Sequence, residues 1–169
     1  MAAVIGNSVA NDGVMRSAEA LGRALVDAGF RIINGGLGGV MEAASRGARS
    51  SAAWREGDVV GVIPGYDKSA VSEHVDVCVA TGMGWARNVI IVASADVVIA
   101  VGGGSGTLSE IAFAWQLGKP VVALDTGDGW SHELAGRALD DRRNDVILRA
   151  ELPIDAVRLA QEAVVRKGE

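Results

Sequence analysis

A glycine-rich turn between a strand and a helix constrains this chain more than any other stretch. The run 96–115 reads Asp-Val-Val-Ile-Ala-Val-Gly-Gly-Gly-Ser-Gly-Thr-Leu-Ser-Glu-Ile-Ala-Phe-Ala-Trp. Its first part is short, apolar and β-branched, the pattern of a strand buried on both faces. Its last part holds helix formers and neither proline nor glycine. Between them, Gly102, Gly103, Gly104 and Gly106 fill four of five positions. Glycine lets a backbone approach a ligand, and the free N–H groups of a helix start point at it. The stretch is a candidate phosphate cradle built from Gly103, Gly104, Ser105, Gly106 and Thr107.

The rest of the chain alternates in the same way. Strands are expected at 2–5, 31–33, 58–63, 75–79, 96–101 and 120–124, with a short last one at 146–148. Helices are expected at 12–28, 40–50, 85–95, after the glycine turn to about 118, at 133–139, and from Pro153 to about Arg166. Asp12 is placed to cap the first helix, and Gly29 to follow its end. This alternation implies right-handed crossovers and an α/β architecture. A doubly wound, mainly parallel sheet of six or seven strands, with helices on both faces, follows. No linker-like change of composition appears, so 1–169 is read as one domain.

Such sheets bind ligands outside the carboxyl ends of their strands. Three glycine turns leave strands at that edge. One is Gly6-Asn7-Ser8, one contains Gly35, Gly36, Gly38 and Gly39, and one is the cradle. The cradle is not a GxGxxG fingerprint in a first βα unit, and it lacks the lysine of a P-loop. Neither a nicotinamide site nor that type of ATPase follows.

Two charged residues bear on chemistry. The segment 107–110, Thr-Leu-Ser-Glu, fits a capping box with Thr107 as N-cap and Glu110 tied back to it. The same Glu110 faces the ligand edge, where a carboxylate can act as an acid or base or stabilise an oxocarbenium ion. Arg87 stands near a helix start, where a cation opposes the macrodipole. A bound anion removes that conflict, and a guanidinium suits phosphate. His74 and His132 are too isolated for a metal pair, and no carboxylate–histidine cluster has ligand spacing. Trp54, Trp85, Trp115 and Trp130 read as core or interface residues, with Trp130 also able to stack on a ligand base.

Bulk properties narrow the field. Net charge is −5 with no basic block, which disfavours nucleic-acid binding. The lone Cys78 excludes an internal disulfide and reads as a buried structural thiol. The start of the chain lacks the pattern of a signal peptide, and the longest nearly apolar tract, 89–101, is too short to span a bilayer. A cytoplasmic protein is expected. The helices over 89–95 and 111–117 are apolar nearly all round, which points to burial against another subunit.

The run 103–110, Gly-Gly-Ser-Gly-Thr-Leu-Ser-Glu, with Arg87 upstream, resembles the LOG ("lonely guy") superfamily, formerly labelled lysine decarboxylases. Gly35-Gly36-Leu37-Gly38-Gly39-Val40-Met41-Glu42-Ala43 belongs to the same resemblance, which covers almost the whole chain. It implies a Rossmann-like fold. No pyridoxal-phosphate lysine site is evident, so decarboxylation is not implied. LOG enzymes cleave nucleoside 5′-monophosphates to base and ribose 5-phosphate. By position, Arg87 and Glu110 would be the catalytic pair, and the glycine turn with Thr107 would hold the phosphate.

Two positions depart from the LOG pattern. Gly102 stands where those enzymes have proline, and Asn88 stands where they have lysine. Both departures resemble the molybdenum-cofactor carrier proteins, a sister group. That resemblance implies binding of a nucleotide or a molybdenum cofactor as ligand, with no cofactor required for activity. Loss of one cation bears more on catalysis than on anion binding. The expectation is a phosphorylated-ligand binder, with a phosphoribohydrolase as the alternative, in a homodimer or homotetramer.

Overall fold

The β-branched runs pair side by side, and the amphipathic segments cover them. The structure is a computed structural model that describes residues 1–168. The described residues form strands β1 Ala2–Gly6, β2 Ile32–Asn34, β3 Val59–Ile63, β4 Val77–Ala80, β5 Val97–Val101, β6 Val121–Leu124 and β7 Leu148–Ala150. Their helices are α1 Asp12–Asp27, α2 Val40–Arg49, α3 Asn88–Ser94, α4 Ser105–Gln116, α5 Gly129–Leu134 and α6 Pro153–Gly168. All pairs are parallel, in the order β4-β3-β2-β1-β5-β6-β7. This is the expected α/β, Rossmann-like, doubly wound sheet.

Alternation along each strand feeds two cores. In β1, Ala2 and Val4 face a cluster with Leu21, Leu25 and Val40 from α1 and α2. Ala3 and Ile5 face the opposite cluster, with Ile91, Ile111 and Trp115 from α3 and α4. A fully buried Leu or Ile contributes about 1.5–3 kcal/mol. The central strands are covered on both faces, which is why they read as continuous apolar runs. Chain direction across the sheet reverses between β1 and β5, and that switch point opens a crevice at their carboxyl ends. No helix among the described residues is long and apolar enough to cross a membrane.

Several local expectations shift. Asn11, not Asp12, caps α1: its side chain accepts from the Val14 N–H, leaving Asp12 in the first turn where its charge suits the dipole. The helix expected at 85–95 begins as a 3₁₀ turn, Gly84–Arg87, and becomes α3 at Asn88. The helix expected at 133–139 starts four residues earlier, at Gly129, because Asp128 caps it. It stops where Ala135 turns extended and Gly136 takes a φ of 78°. The last strand is Leu148–Ala150 rather than 146–148, because Ile147 pairs with the loop at Gly136 and Arg137 instead of with β6. Cys78 is only partly buried, since β4 is an edge strand with Val77 and Val79 exposed.

Candidate functional site

The helix after the glycine turn starts open. α4 begins at Ser105 with Gly104 as N-cap and no side chain capping it. Thr107 is therefore its third residue and Glu110 its sixth, and the expected capping box does not form. The first backbone bond inside α4 runs from the Leu108 N–H to the Gly104 carbonyl. The N–H groups before it are the unpaired donors of a helix start, and Gly104, Ser105, Gly106 and Thr107 border a cavity of about 300 Å³.

The other two turns close this cavity. Gly6, Asn7 and Ser8 reach it from β1, and Gly35 from β2. The two turns are tied together by the Val40 N–H, which donates to the Asn7 carbonyl at 2.9 Å. Asn34 shapes the second turn from below. Its Nδ2 donates to the Met41 carbonyl and Ser45 Oγ, while its Oδ1 accepts from the Gly36 N–H. Gly36, Gly38, Gly39 and Gly103, all candidates for ligand contact, do not border the cavity. Gly39 meets chain instead of ligand: a Cβ there would lie 2.2 Å from the Asn7 carbonyl oxygen. A Cβ on Gly103 would strike the Thr107 side chain at 2.5 Å.

Arg87 lies on the wall, only 6 % exposed. Gly35 gives it room, since a Cβ there would come within 2.5 Å of Arg87 Nη2. Nη1 donates to Asn88 Oδ1 and stands 3.7 Å from Glu110 Oε1, too far for a hydrogen bond. Nε is buried and has no partner. Asn88 Nδ2 donates to Ser109 Oγ at 3.2 Å, and Ser109 Oγ donates to the Gly106 carbonyl at 2.6 Å. A polar chain thus links the guanidinium to the start of α4.

Burial governs the electrostatics. It pushes the Glu110 carboxyl up to about 7, and the attraction of Arg87 only partly offsets it. Burial also pushes the Arg87 guanidinium below its usual value, with Glu110 opposing. At neutral pH Glu110 is thus divided between acid and carboxylate beside a fixed cation. Such a pair can receive an anion or pass a proton.

Sequence reasoning missed three supports. Ser131 in α5 is fully buried, its Oγ accepting from the Gly102 N–H and donating to the Leu124 carbonyl. Its own N–H donates to the Gly102 carbonyl. With the two 29 positions apart, no local signal joins them. Asn34 and Ser109 stood inside motifs as ordinary polar residues, and a small polar residue beside a glycine turn was the available hint. Trp130, considered as a ligand stacker, packs instead on the α3–α4 core and does not border the cavity.

Known proteins share this fold. A molybdenum cofactor binding protein from the phototrophic bacterium Rippkaea orientalis superposes with a TM-score of 0.82 at 34 % identity, covering 95 % of this chain and 94 % of that one. The molybdenum cofactor carrier protein of Chlamydomonas reinhardtii superposes with a TM-score of 0.80 at 28 % identity, covering 97 % and 98 %. A cytokinin riboside 5′-monophosphate phosphoribohydrolase of Mycobacterium tuberculosis is 30 % identical over 128 residues, which is 70 % of this chain and 65 % of that enzyme. A family profile matches residues 1–156, the whole sheet with the three turns and the Arg87–Glu110 wall, so the chain belongs to the SLOG cluster4 family.

Proposed function

We propose that this protein binds a phosphorylated small molecule, a nucleotide or a molybdopterin-type cofactor, with its phosphate at the start of α4. One observation carries the reading. A buried arginine with an unpartnered Nε borders the same cavity as the open N-terminus of a twelve-residue helix. Burying a cation without full pairing is costly, and an anion in the cavity compensates both the guanidinium and the helix start. The cofactor-binding relatives support the choice of ligand class. Titration calorimetry with AMP, and with a molybdopterin source, tests it. Binding is expected in the wild type and at least about tenfold weaker in Gly106→Asp, whose carboxylate would compete for the same N–H groups. A wild-type protein that takes up no phosphorylated ligand sinks the proposal.

A second reading, a nucleoside 5′-monophosphate phosphoribohydrolase, is favoured by Glu110 itself. The residue does not cap its helix, and its carboxyl sits near 7 beside Arg87. In that reaction the glycosidic bond breaks, the base leaves with the electron pair and takes a proton, and water supplies hydroxyl to the sugar. Glu110 would stabilise the positive charge on the sugar, and Arg87 would orient the substrate. Free adenine released from AMP, and lost in Glu110→Gln, is the expected result. Equal rates in both proteins would remove Glu110 from the mechanism.

A homo-oligomer accompanies either reading. The outer sides of α3 and α4 keep Val89, Ile90 and Phe113 only half-buried and Leu117 exposed, surface that a second copy would cover. Mass photometry giving a monomer alone would reject it.

A further inference from the structure

Four tryptophans are present, and three are accounted for by the fold. Trp54 donates its Nε1 to Asp76. Trp115 donates to Asp140 and lies under the Arg143 guanidinium. Trp130 packs on the α3–α4 core. Trp85 differs from all of them. It is 81 % exposed, and its indole makes no hydrogen bond or ring contact among the described residues. An indole is the largest apolar side chain, and leaving it in water forgoes the stabilisation that its burial supplies.

Its position gives that exposure a direction. Trp85 borders the cavity described above. It sits on the same 3₁₀ turn as Arg87, following Gly84, whose φ is 56°. Its Cζ3 lies 3.9 Å from the point a Cβ on Gly106 would occupy. The six-membered ring of the indole therefore flanks the second residue of α4, beside the N–H groups of the cradle. Leu37 and Met41 add apolar surface to the same cavity, whereas Asn7, Ser8, Arg87 and Glu110 make it polar elsewhere. A phosphate alone would leave this apolar part empty.

We infer that Trp85 is a stacking platform for a flat heteroaromatic ring carried by the phosphorylated ligand. This rests on the phosphate reading and extends it. The ligand has two ends, an anionic one at the start of α4 and a π-rich one, purine-like or pterin-like, against the indole. Stacking recognises the face of a ring and not its edge, so the platform selects for aromaticity more than for one base. A second copy of the chain is the competing occupant of an exposed indole. Continuity of Trp85 with the cavity, and its approach to Gly106, favour the ring.

Calorimetry with AMP, GMP and ribose 5-phosphate, the last lacking any ring, tests the inference. Wild-type protein is expected to bind both nucleotides more tightly than ribose 5-phosphate. Trp85→Ala should lower nucleotide affinity about tenfold or more, with ribose 5-phosphate changed less than about twofold. Trp85→Phe should restore most of the nucleotide affinity, and mass photometry should show the subunit number of Trp85→Ala unchanged. Four results overturn the platform. They are nucleotides binding no tighter than ribose 5-phosphate, equal losses for all three ligands, no loss for any, or dissociation of subunits in the variant. Wild-type protein that binds none of the three overturns the phosphate reading itself.

Discussion

The turn after β5 and the turn after β2 are both glycine-rich strand-to-helix connections, yet they use glycine for opposite purposes. After β5, Gly104 and Gly106 border open space, with nothing closer to a Gly106 Cβ than Trp85 at 3.9 Å. After β2, Gly36 and Gly39 are pressed onto protein. A Cβ on Gly36 would meet Ile63 at 2.9 Å, and one on Gly39 would meet the Asn7 carbonyl at 2.2 Å. The first turn leaves its backbone open to the cavity, where the proposed ligand would bind, while the second uses its missing side chains to pack on β3 and on the turn after β1. A run of glycines therefore marks close approach without saying what approaches.

The largest expected effect separates these roles. Gly39 has a φ of 68° and a ψ of −135°, a region that side chains rarely enter. Gly39→Ala adds both that strain and a clash with backbone. It should cost about 3 kcal/mol or more in urea unfolding. A loss below about 1 kcal/mol would show that the second turn is not locked to Asn7.

Next in size is a pH-graded effect at the wall between the turns. The Glu110 carboxyl has an ordinary value of 4.5 and rises to about 7 on folding. Between those values the folded state holds a proton that the unfolded state has lost. Stability should thus fall as pH rises from about 4.5 to about 7, by an amount on the order of 3 kcal/mol, and level off above. Glu110→Gln, which cannot ionise, should lack that contribution. The same variant sharpens the ligand side. Ribose 5-phosphate should bind wild type less well relative to Glu110→Gln as pH passes through about 7, because the ionised carboxylate repels it. The phosphate's own ionisation is common to both proteins. Parallel pH profiles would show that Glu110 does not face the anion.

A smaller loss is expected at Ser131. Removing its hydroxyl strands the buried Gly102 N–H and costs about 1–3 kcal/mol. The same hydroxyl also donates to the Leu124 carbonyl and so ties the cradle to β6, and nucleotide affinity should drop with stability. A Ser131→Ala variant with unchanged unfolding would mean that α5 is not what holds the first turn.

Ser131 also shows where the sequence stops being legible. Strands β1, β5 and β6 were readable because they are continuous apolar runs buried on both faces. β7 was misplaced by two residues because Val146 and Ile147 look like strand, while Ile147 spends its backbone bonds on Arg137 and Gly136. The cap of α1 was misjudged by one residue because Asn11 and Asp12 are both able caps, and only the extended backbone at Asn11 decides. At the site, the glycine turns, Arg87 and Glu110 were nameable from motif and resemblance. Their burial was not, because it comes from α3 and α4 packing on one sheet face, a long-range fact. Capping-box spacing at 107–110 pointed Glu110 toward its own helix end, and the earlier start of α4 turned it inward. Gly22 and Gly47 lie in helix interiors, where each lets α1 and α2 touch: a Cβ on either would fall 1.9 Å from a backbone carbonyl oxygen of the other helix. Counting glycines could not have separated these from the cradle.

The smallest predicted effect tests the comparison most directly, because its two readouts move in opposite directions. Gly106 is the second residue of α4, and its backbone is not in the left-handed region. Alanine suits a helix better than glycine, so Gly106→Ala should stabilise the fold by about 0.5 kcal/mol. Its methyl would extend toward Trp85 without contact closer than 3.9 Å, but into the space assigned to the ligand. AMP affinity should therefore fall while resistance to urea rises. Gly39→Ala should lose stability outright, and whatever affinity it loses should track its unfolding. A Gly106→Ala protein that gains stability with unchanged affinity would place the phosphate elsewhere along the cavity. One that loses stability would make the first turn a packing device like the second.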